Sequence, residues 1–424
     1  MVTSSQATAS RGMDLRELAI VFLLGLLATW LWTAKLIIPA LTGPLIDYIK
    51  HYESAYLILA DITPYHVIMY YYPVFLALLH QPLFWFEESE SVLVWSFGNV
   101  ILVMMGTLVL ADMLATISPP ANCTGRLKRM RAFILRHPLV CTLVVVGAFE
   151  PLQRVLRSGN VDPLNFLFAS LLLGLLVTRR DWRGGVILGL FCLVKVMPIL
   201  LLPPLLALKR WRVVGALCAV LAAYGVLTLS FGWWRGEVYL FREILPNAPW
   251  VWQHISLSLH RLIGTLFVPS ALEESATYAR LILGINMVLG LGYCALLFAA
   301  MQRGIRHPDL LLAAGLICIL LYSPLLETIH FSWILPAFAV QARAWLSGKL
   351  GDGMFALLVM GWMGLTASDT ISTLLPVGAI GGEYWMVQTL LYLFLLTLSL
   401  WAALSGGSIL HEPTNRVEPE GLAP

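Results

Sequence analysis

The sequence predicts an all-α fold, a polytopic membrane bundle of about twelve transmembrane helices, some of them half-length. Three observations carry this. Of 424 residues 59% are hydrophobic and only 12% charged, about half the charged share of a soluble domain. Apolar runs near 18–40, 92–116, 213–232, 276–302, 309–325, 331–347, 353–375 and 385–405 are each long enough to cross about 30 Å of hydrocarbon at about 1.5 Å per residue. Arginine and lysine gather between the runs. A soluble protein is excluded, and a scattered net charge of +3 argues against a nucleic-acid partner.

The first run is too long for a signal peptide, and the start lacks an apolar stretch ending at a small-residue cleavage site, so the run is expected to stay as an anchor. The basic clusters are Arg11/Arg16, Arg126 to Arg136, Arg179/Arg180/Arg183, Lys209/Arg210/Arg212, Arg303/Arg306 and Arg343/Lys349. The positive-inside rule places them in the cytoplasm. Residues 137–178 and 184–208 each connect two such clusters, so each must go out and return. The first holds short spans at 138–149 and 163–178 with FEPLQRVLRSGNVD as the outer turn; the second holds two half-helices meeting near Lys195 and Pro198. Irregular backbone at that depth is tolerated only when buried in protein or lining a wet cavity. Twelve passes put both termini inside an inner (plasma) membrane. The chain reads as one domain over 1–405, with outer loops at 41–91 and 233–275 and a polar cytoplasmic tail at 406–424. The first outer loop is expected to form interfacial helices over 45–60 and 66–84, because aromatics recur in it at helical spacing between Pro64, Pro73 and Pro82. The six cysteines show no metal-ligand spacing and read as small core residues.

The residues able to carry chemistry collect on the outer side. Asp47 follows the first span, where a lone carboxylate is ordinarily a solvated charge at a helix start. With Tyr48, Tyr52 and Ala55 behind it, the same carboxylate is placed as a general base acting on an acceptor at the membrane surface. Lys195 lies in the broken pair, and snorkelling to the headgroups and binding an anionic substrate group account for it equally well. Arg154 and Arg157 precede Gly159-Asn160, as surface arginines or as partners of the same anion. Glu327 and His330, three residues apart, would share a helix face, with the carboxylate keeping the imidazole protonated. A histidine at a span end is more commonly an interface anchor. No Walker motif, HExxH, nucleophile elbow or tight carboxylate cluster is present.

These residues resemble the GT-C superfamily of integral-membrane glycosyltransferases, and within it glycosyltransferase family 87, the polyprenol-phosphate-mannose-dependent mannosyltransferases. The signatures are Asp47, Tyr52 and Ala55, then Tyr70-Tyr71-Tyr72-Pro73; Gly159-Asn160; Lys195-Val196-Met197-Pro198; and Ser323-Pro324, His330 and Leu335-Pro336. Two positions depart from the pattern: Glu327, where the family often has tryptophan, and His254-Ile255-Ser256, a loose version of an Asn-x-Ser stretch. The resemblance implies an inverting enzyme that moves a sugar, most often mannose, from a polyprenyl phosphate on the outer leaflet to a glycolipid or glycan acceptor, with no cofactor and no metal. Asp47 would be the base, with His330 beside it in catalysis. Lys195, Arg157 and Asn160 would hold the donor phosphate. Tyr48, Tyr52, Glu327 and His254 would form the acceptor or sugar pocket. Two other readings stay open on the residues alone. A secondary transporter would also use broken helices and a lysine at membrane depth, although no internal repeat is visible. A non-catalytic assembly or lipid-scrambling factor would need no cluster of ionisable groups at one depth.

Overall fold

The computed structural model describes residues 14–60, 62–67, 70–117, 125–251, 256–303, 307–324, 326–366 and 384–405, and all regular structure among them is helical. Helix α1 (Leu15–Thr42) contains a π-helical stretch at Trp32–Ile37 and leads through a short turn into α2 (Ile46–Leu59). Helix α3 (Val74–His80) and a 3-10 turn (Gln81–Trp85) complete the segment between α1 and the next long helix. The second helix expected in this segment therefore begins at Val74 and not at 66. Pro73 disfavours helix for the residue before it and becomes the N-cap, leaving only a 3-10 turn at Pro64–His66.

Helix α4 (Glu88–Ala115) starts at a capping box in which the Glu87 and Glu90 side chains each accept the other's backbone N–H. A basic helix α5 (Arg126–Arg136) meets the ten-residue α6 (Pro138–Gly147) at 93°. The expected span over 138–149 is thus a short apolar helix entered from a cationic one lying across it. Then come α7 (Glu150–Ser158), α8 (Asp162–Val177) and α9 (Asp181–Val194). The backbone breaks at Lys195, which is extended, and resumes as a 3-10 turn (Met197–Leu201) and α10 (Leu202–Ala207). The expected meeting of half-helices at Lys195 and Pro198 is what forms.

The remainder is α11 (Trp211–Ser230), α12 (Trp234–Tyr239), α13 (Leu245–Val251), α14 (Leu259–Phe267), α15 (Ser275–Arg303), α16 (Pro308–Ile319), α17 (Leu335–Leu346), α18 (Asp352–Thr366) and α19 (Tyr384–Ser405). Among the described residues five helices are long and apolar enough to cross a membrane: Leu15–Thr42, Glu88–Ala115, Trp211–Ser230, Ser275–Ala299 and Val387–Leu404. Their outward faces are apolar, as at Phe22, Ile101, Leu229 and Leu291, which suits lipid as solvent.

Helix α16 is apolar all round and buried from Leu310 to Ile319, which makes it the centre of the bundle against α8, α17 and α19. Helix α9 packs on α11 through Gly185 and Gly189. A methyl group at Gly185 would sit 2.3 Å from the Val213 carbonyl oxygen, and one at Gly189 2.6 Å from Val220 Cβ. This is the small-xxx-small device by which membrane helices approach closely. The segments 41–91 and 233–275 are tied by Glu237, whose carboxylate accepts the Val74 N–H and the Tyr224 hydroxyl.

Candidate active site

The site is built where the turn after α1 and the turn after α7 are stitched together. Gly43 brings the end of α1 against the C-terminus of α7 so closely that a Cβ would lie 2.2 Å from the Arg157 carbonyl oxygen. That oxygen accepts the Leu45 N–H. On the other side Gly159 is left-handed (φ 69°), and a Cβ there would press on Tyr48 and Leu45 at about 3 Å. Its carbonyl accepts the Trp95 indole N–H at 2.8 Å. Asn160, the next residue, is thereby held beside the first turn of α2. Its Nδ2 donates to Asp47 Oδ2 at 3.0 Å, while its Oδ1 accepts the Asp162 N–H at 3.0 Å. Lys50, one turn along α2, meets Asp47 Oδ1 at 2.9 Å. Both carboxylate oxygens are therefore oriented, and the side chain keeps about a fifth of its surface open.

Asp47, Lys50 and His51 face a cavity of about 500 Å³ together with Tyr72, Asn160, Lys195, Asn286, Glu327, His330 and Trp333. The wall opposite α2 comes from the break after α9. Lys195 neither snorkels nor stands bare: its Nζ is 3.1 Å from Oδ1 of the wholly buried Asp162 and 4.2 Å from the centre of the Trp333 ring. An ammonium at this depth is tolerable because a carboxylate and an aromatic face share it. Asp162 Oδ1 also accepts from Asn165 Nδ2 at 2.7 Å.

Glu327 and His330 do not pair side chain to side chain. They form a capping box on a 3-10 helix (Thr328–Ile334), in which the Glu327 carboxylate accepts the His330 N–H and His330 Nδ1 accepts the Glu327 N–H at 3.1 Å. The expectation of a protonated imidazole is corrected. An accepting Nδ1 carries no proton, so the ring is neutral and its Nε2–H is the remaining donor. Burial and the neighbouring Lys195 ammonium hold this ring well below the usual imidazole range. Burial, with Asp47 adding to it and Lys195 opposing, raises Glu327 above the usual carboxylate range. Among the described residues no three histidine, cysteine or carboxylate side chains converge as metal ligands would.

Residues 70–328, more than half of the chain, match the sequence profile of glycosyltransferase family 87. The chain belongs to glycosyltransferase family 87. It is similar to a polyprenol-phosphate-mannose-dependent alpha-(1-2)-phosphatidylinositol pentamannoside mannosyltransferase of Mycolicibacterium smegmatis, at 25% identity over 342 residues, covering 77% of this chain and 72% of the relative. Polyprenol-phosphate-mannose-dependent alpha-(1-2)-phosphatidylinositol mannoside mannosyltransferases are similar at the same 25% identity. The M. smegmatis protein matches over 80% of this chain and 72% of its own length, that of Mycobacterium tuberculosis over 69% and 67%. The protein is a membrane glycosyltransferase.

In this family 87 enzyme the cavity gathers five of the nine residues expected to have site roles: Asp47, Asn160, Lys195, Glu327 and His330. Asn160 lines the cavity and also orients Asp47. Tyr48 and Tyr52 point elsewhere. Tyr48 is buried with its hydroxyl 2.6 Å from Ser91 Oγ, and Tyr52 packs on Phe84, so they anchor α2 to α4 and to the 3-10 turn before it. Helix geometry is the reason. Asp47, Lys50 and His51 lie at i, i+3 and i+4 on one face, and Tyr48, Tyr52 and Ala55 on another. The Arg157 side chain is exposed and outside the cavity, and its contribution is its backbone carbonyl. His254 lies outside the described residues. Sequence reasoning passed over His51, Asp162 and Trp333. The polar stripe of α2 signals the first, and the carboxylate two residues after Asn160 signals the second.

Proposed function

We propose that this glycosyltransferase inverts the anomeric carbon of a sugar, mannose as in the named relatives, as it moves it from a polyprenyl phosphate to a lipid or glycan acceptor at the outer face of the membrane. The observation that carries the reading is one cavity with an oriented carboxylate, Asp47, on one wall and a cation, Lys195, with the His330 Nε2–H on the other. Asp47 takes the proton of the acceptor hydroxyl as its oxygen bonds to the anomeric carbon. The bond from that carbon to the phosphate oxygen breaks on the opposite face. The phosphate leaves with its electron pair and gains charge, which Lys195 and His330 stabilise more in the transition state than before it. A single displacement needs one base, and an amide and an ammonium orient the two oxygens of Asp47 for that task. The chemistry is proposed to need no metal.

The outer location is supported by α8, which begins at Asp162 beside the cavity and ends at Val177 next to Arg179 and Arg180. Cavity and basic loop are about 24 Å apart along one helix axis, and positive charge marks the cytoplasmic side. We propose twelve passes: the five long helices, plus shorter crossings by α6, α8, α9, residues 197–207, α16, α17 and α18.

Purified protein should transfer sugar from polyprenyl-phosphate mannose to phosphatidylinositol mannosides. Asp47→Asn keeps the shape and removes basicity, so turnover should fall about 10²-fold or more while donor binding persists. Full turnover in that variant would refute the assignment.

A further inference from the structure

A second hollow, of about 250 Å³, lies among α4, α5, α6, α17 and α18 and shares no lining residue with the cavity that holds Asp47. Leu335, Phe338, Ala342 and Trp345 line it along α17. Ten residues of helix run about 15 Å, roughly half the hydrocarbon core and so the depth of one leaflet. The hydroxyl and indole groups on its wall are already engaged: the Thr142 hydroxyl donates to the Pro138 carbonyl at 2.7 Å, and the Trp345 N–H donates to the Asp352 carboxylate at 2.7 Å. Such a hollow offers water little and suits an apolar occupant. Met130 and Val145, which also line it, are exposed, so it opens to the surroundings of the bundle.

The basic helix α5 stands at one end. Its Arg131 guanidinium lies over the Trp345 ring at 4.7 Å. Met130 and Ile134 of α5 line the hollow, and Arg126 precedes them at the same four-residue spacing, on the same face, with Arg129 one turn from it. From Arg126 to Arg136 the helix carries five cations and no carboxylate. Two of the five are neutralised, Arg131 by Asp352 and Arg136 by Glu17 at 2.7 Å. Arg126, Lys128 and Arg129 are exposed and have no ion pair among the described residues. Uncompensated positive charge beside an apolar slot one leaflet deep is the complement of a lipid with an anionic head.

We propose that this hollow binds one acyl chain of an anionic phospholipid, with the headgroup phosphate against the Arg126 and Arg129 guanidinium groups. Guanidinium matches phosphate oxygens in a two-pronged geometry, which favours arginine at such a place. A zwitterionic phospholipid could fill the slot with the same chain but carries no net charge for the helix to attract. In the orientation proposed above, the lipid belongs to the cytoplasmic leaflet, on the side of the membrane away from the sugar-transfer cavity.

The test uses the full chain in phosphatidylcholine nanodiscs that contain a trace of phosphatidylglycerol with a diazirine near the end of one acyl chain. After illumination, adducts mapped by mass spectrometry should concentrate on residues 138–146 and 335–346. Replacing part of the matrix with unlabelled phosphatidylglycerol should suppress these adducts about tenfold, whereas phosphatidylethanolamine at the same fraction should leave them. Joint Arg126→Gln and Arg129→Gln substitution should lower them at least about fivefold. Ala342→Trp, which fills the hollow, should remove them while labelling of the lipid-facing helix Trp211–Ser230 persists. Melting and size-exclusion profiles identify which variants fold, and the lipid competition needs neither. Adducts spread evenly over the lipid-facing helices, equal displacement by both phospholipids, or undiminished labelling in a folded variant would each overturn the proposal.

Discussion

Lys195 and Asp162 form a pair whose two roles can be separated by a double-mutant cycle. The ammonium is 3.1 Å from the carboxylate, with 14% of the lysine side chain and none of the aspartate side chain exposed. At an effective dielectric constant of about 20 their attraction is about 5 kcal/mol, set against the desolvation of both groups. Removing one partner strands the other, so Lys195→Met and Asp162→Asn should each cost about 3–5 kcal/mol. The double variant carries no stranded charge and should recover roughly 2–3 kcal/mol relative to the sum. Activity should behave differently. In the proposed mechanism Lys195 stabilises the leaving phosphate, so Lys195→Met should lower kcat about 10²- to 10³-fold, and the second substitution should not restore it. Thermal unfolding in detergent reads the first quantity, and single-turnover transfer from polyprenyl-phosphate mannose the second. Additive stability losses would show that the pair is uncoupled, and normal turnover in Lys195→Met would remove the lysine from the chemistry.

Gly43→Ala should destabilise the protein and lower turnover together, because its methyl carbon would meet the Arg157 carbonyl at 2.2 Å and separate Asn160 from Asp47; a variant with wild-type melting and rate would contradict that packing. Glu327 is held above the usual carboxylate range by burial, so the folded state keeps a proton that the unfolded chain has already released near pH 4.5. Stability should accordingly fall as pH rises from there through the folded-state value, and Glu327→Gln should flatten that slope in pH-dependent melting. EDTA should leave transfer intact; activity lost in EDTA and restored by magnesium or manganese would overturn the metal-free mechanism.

Much of the helix order was legible because lipid imposes a strong rule: apolar runs and basic loops reveal segments without any knowledge of packing. The break at Lys195 could be read the same way, since 25 residues between two basic clusters expected on one side of the membrane cannot make two full spans. The orientation of side chains around the site was less legible. Tyr48 and Tyr52 stand next to Asp47 in the chain, yet on a helix they share a face with each other and not with it. Arg157 looked like an anion partner because it is cationic, but the structure uses its carbonyl. Asp162 reads from sequence as the polar end of an outer turn, and only the fold shows that it is the counter-ion of a lysine 33 residues away. The His330 tautomer depends on a single backbone N–H, which no spacing rule reports.

The stitching of Gly43 and Leu45 to Arg157, and of Asp47 to an amide 113 residues further on, bears on how the enzyme is made. A growing chain delivers the carboxylate first, on a helix whose supporting loop has yet to be synthesised. Until residue 160 has been threaded and docked, Asp47 has no amide to orient it, and the cavity lacks its far wall until Lys195 follows. A nascent or truncated polypeptide therefore cannot assemble the cavity from its early helices alone. Catalytic competence arrives late, as a property of long-range assembly.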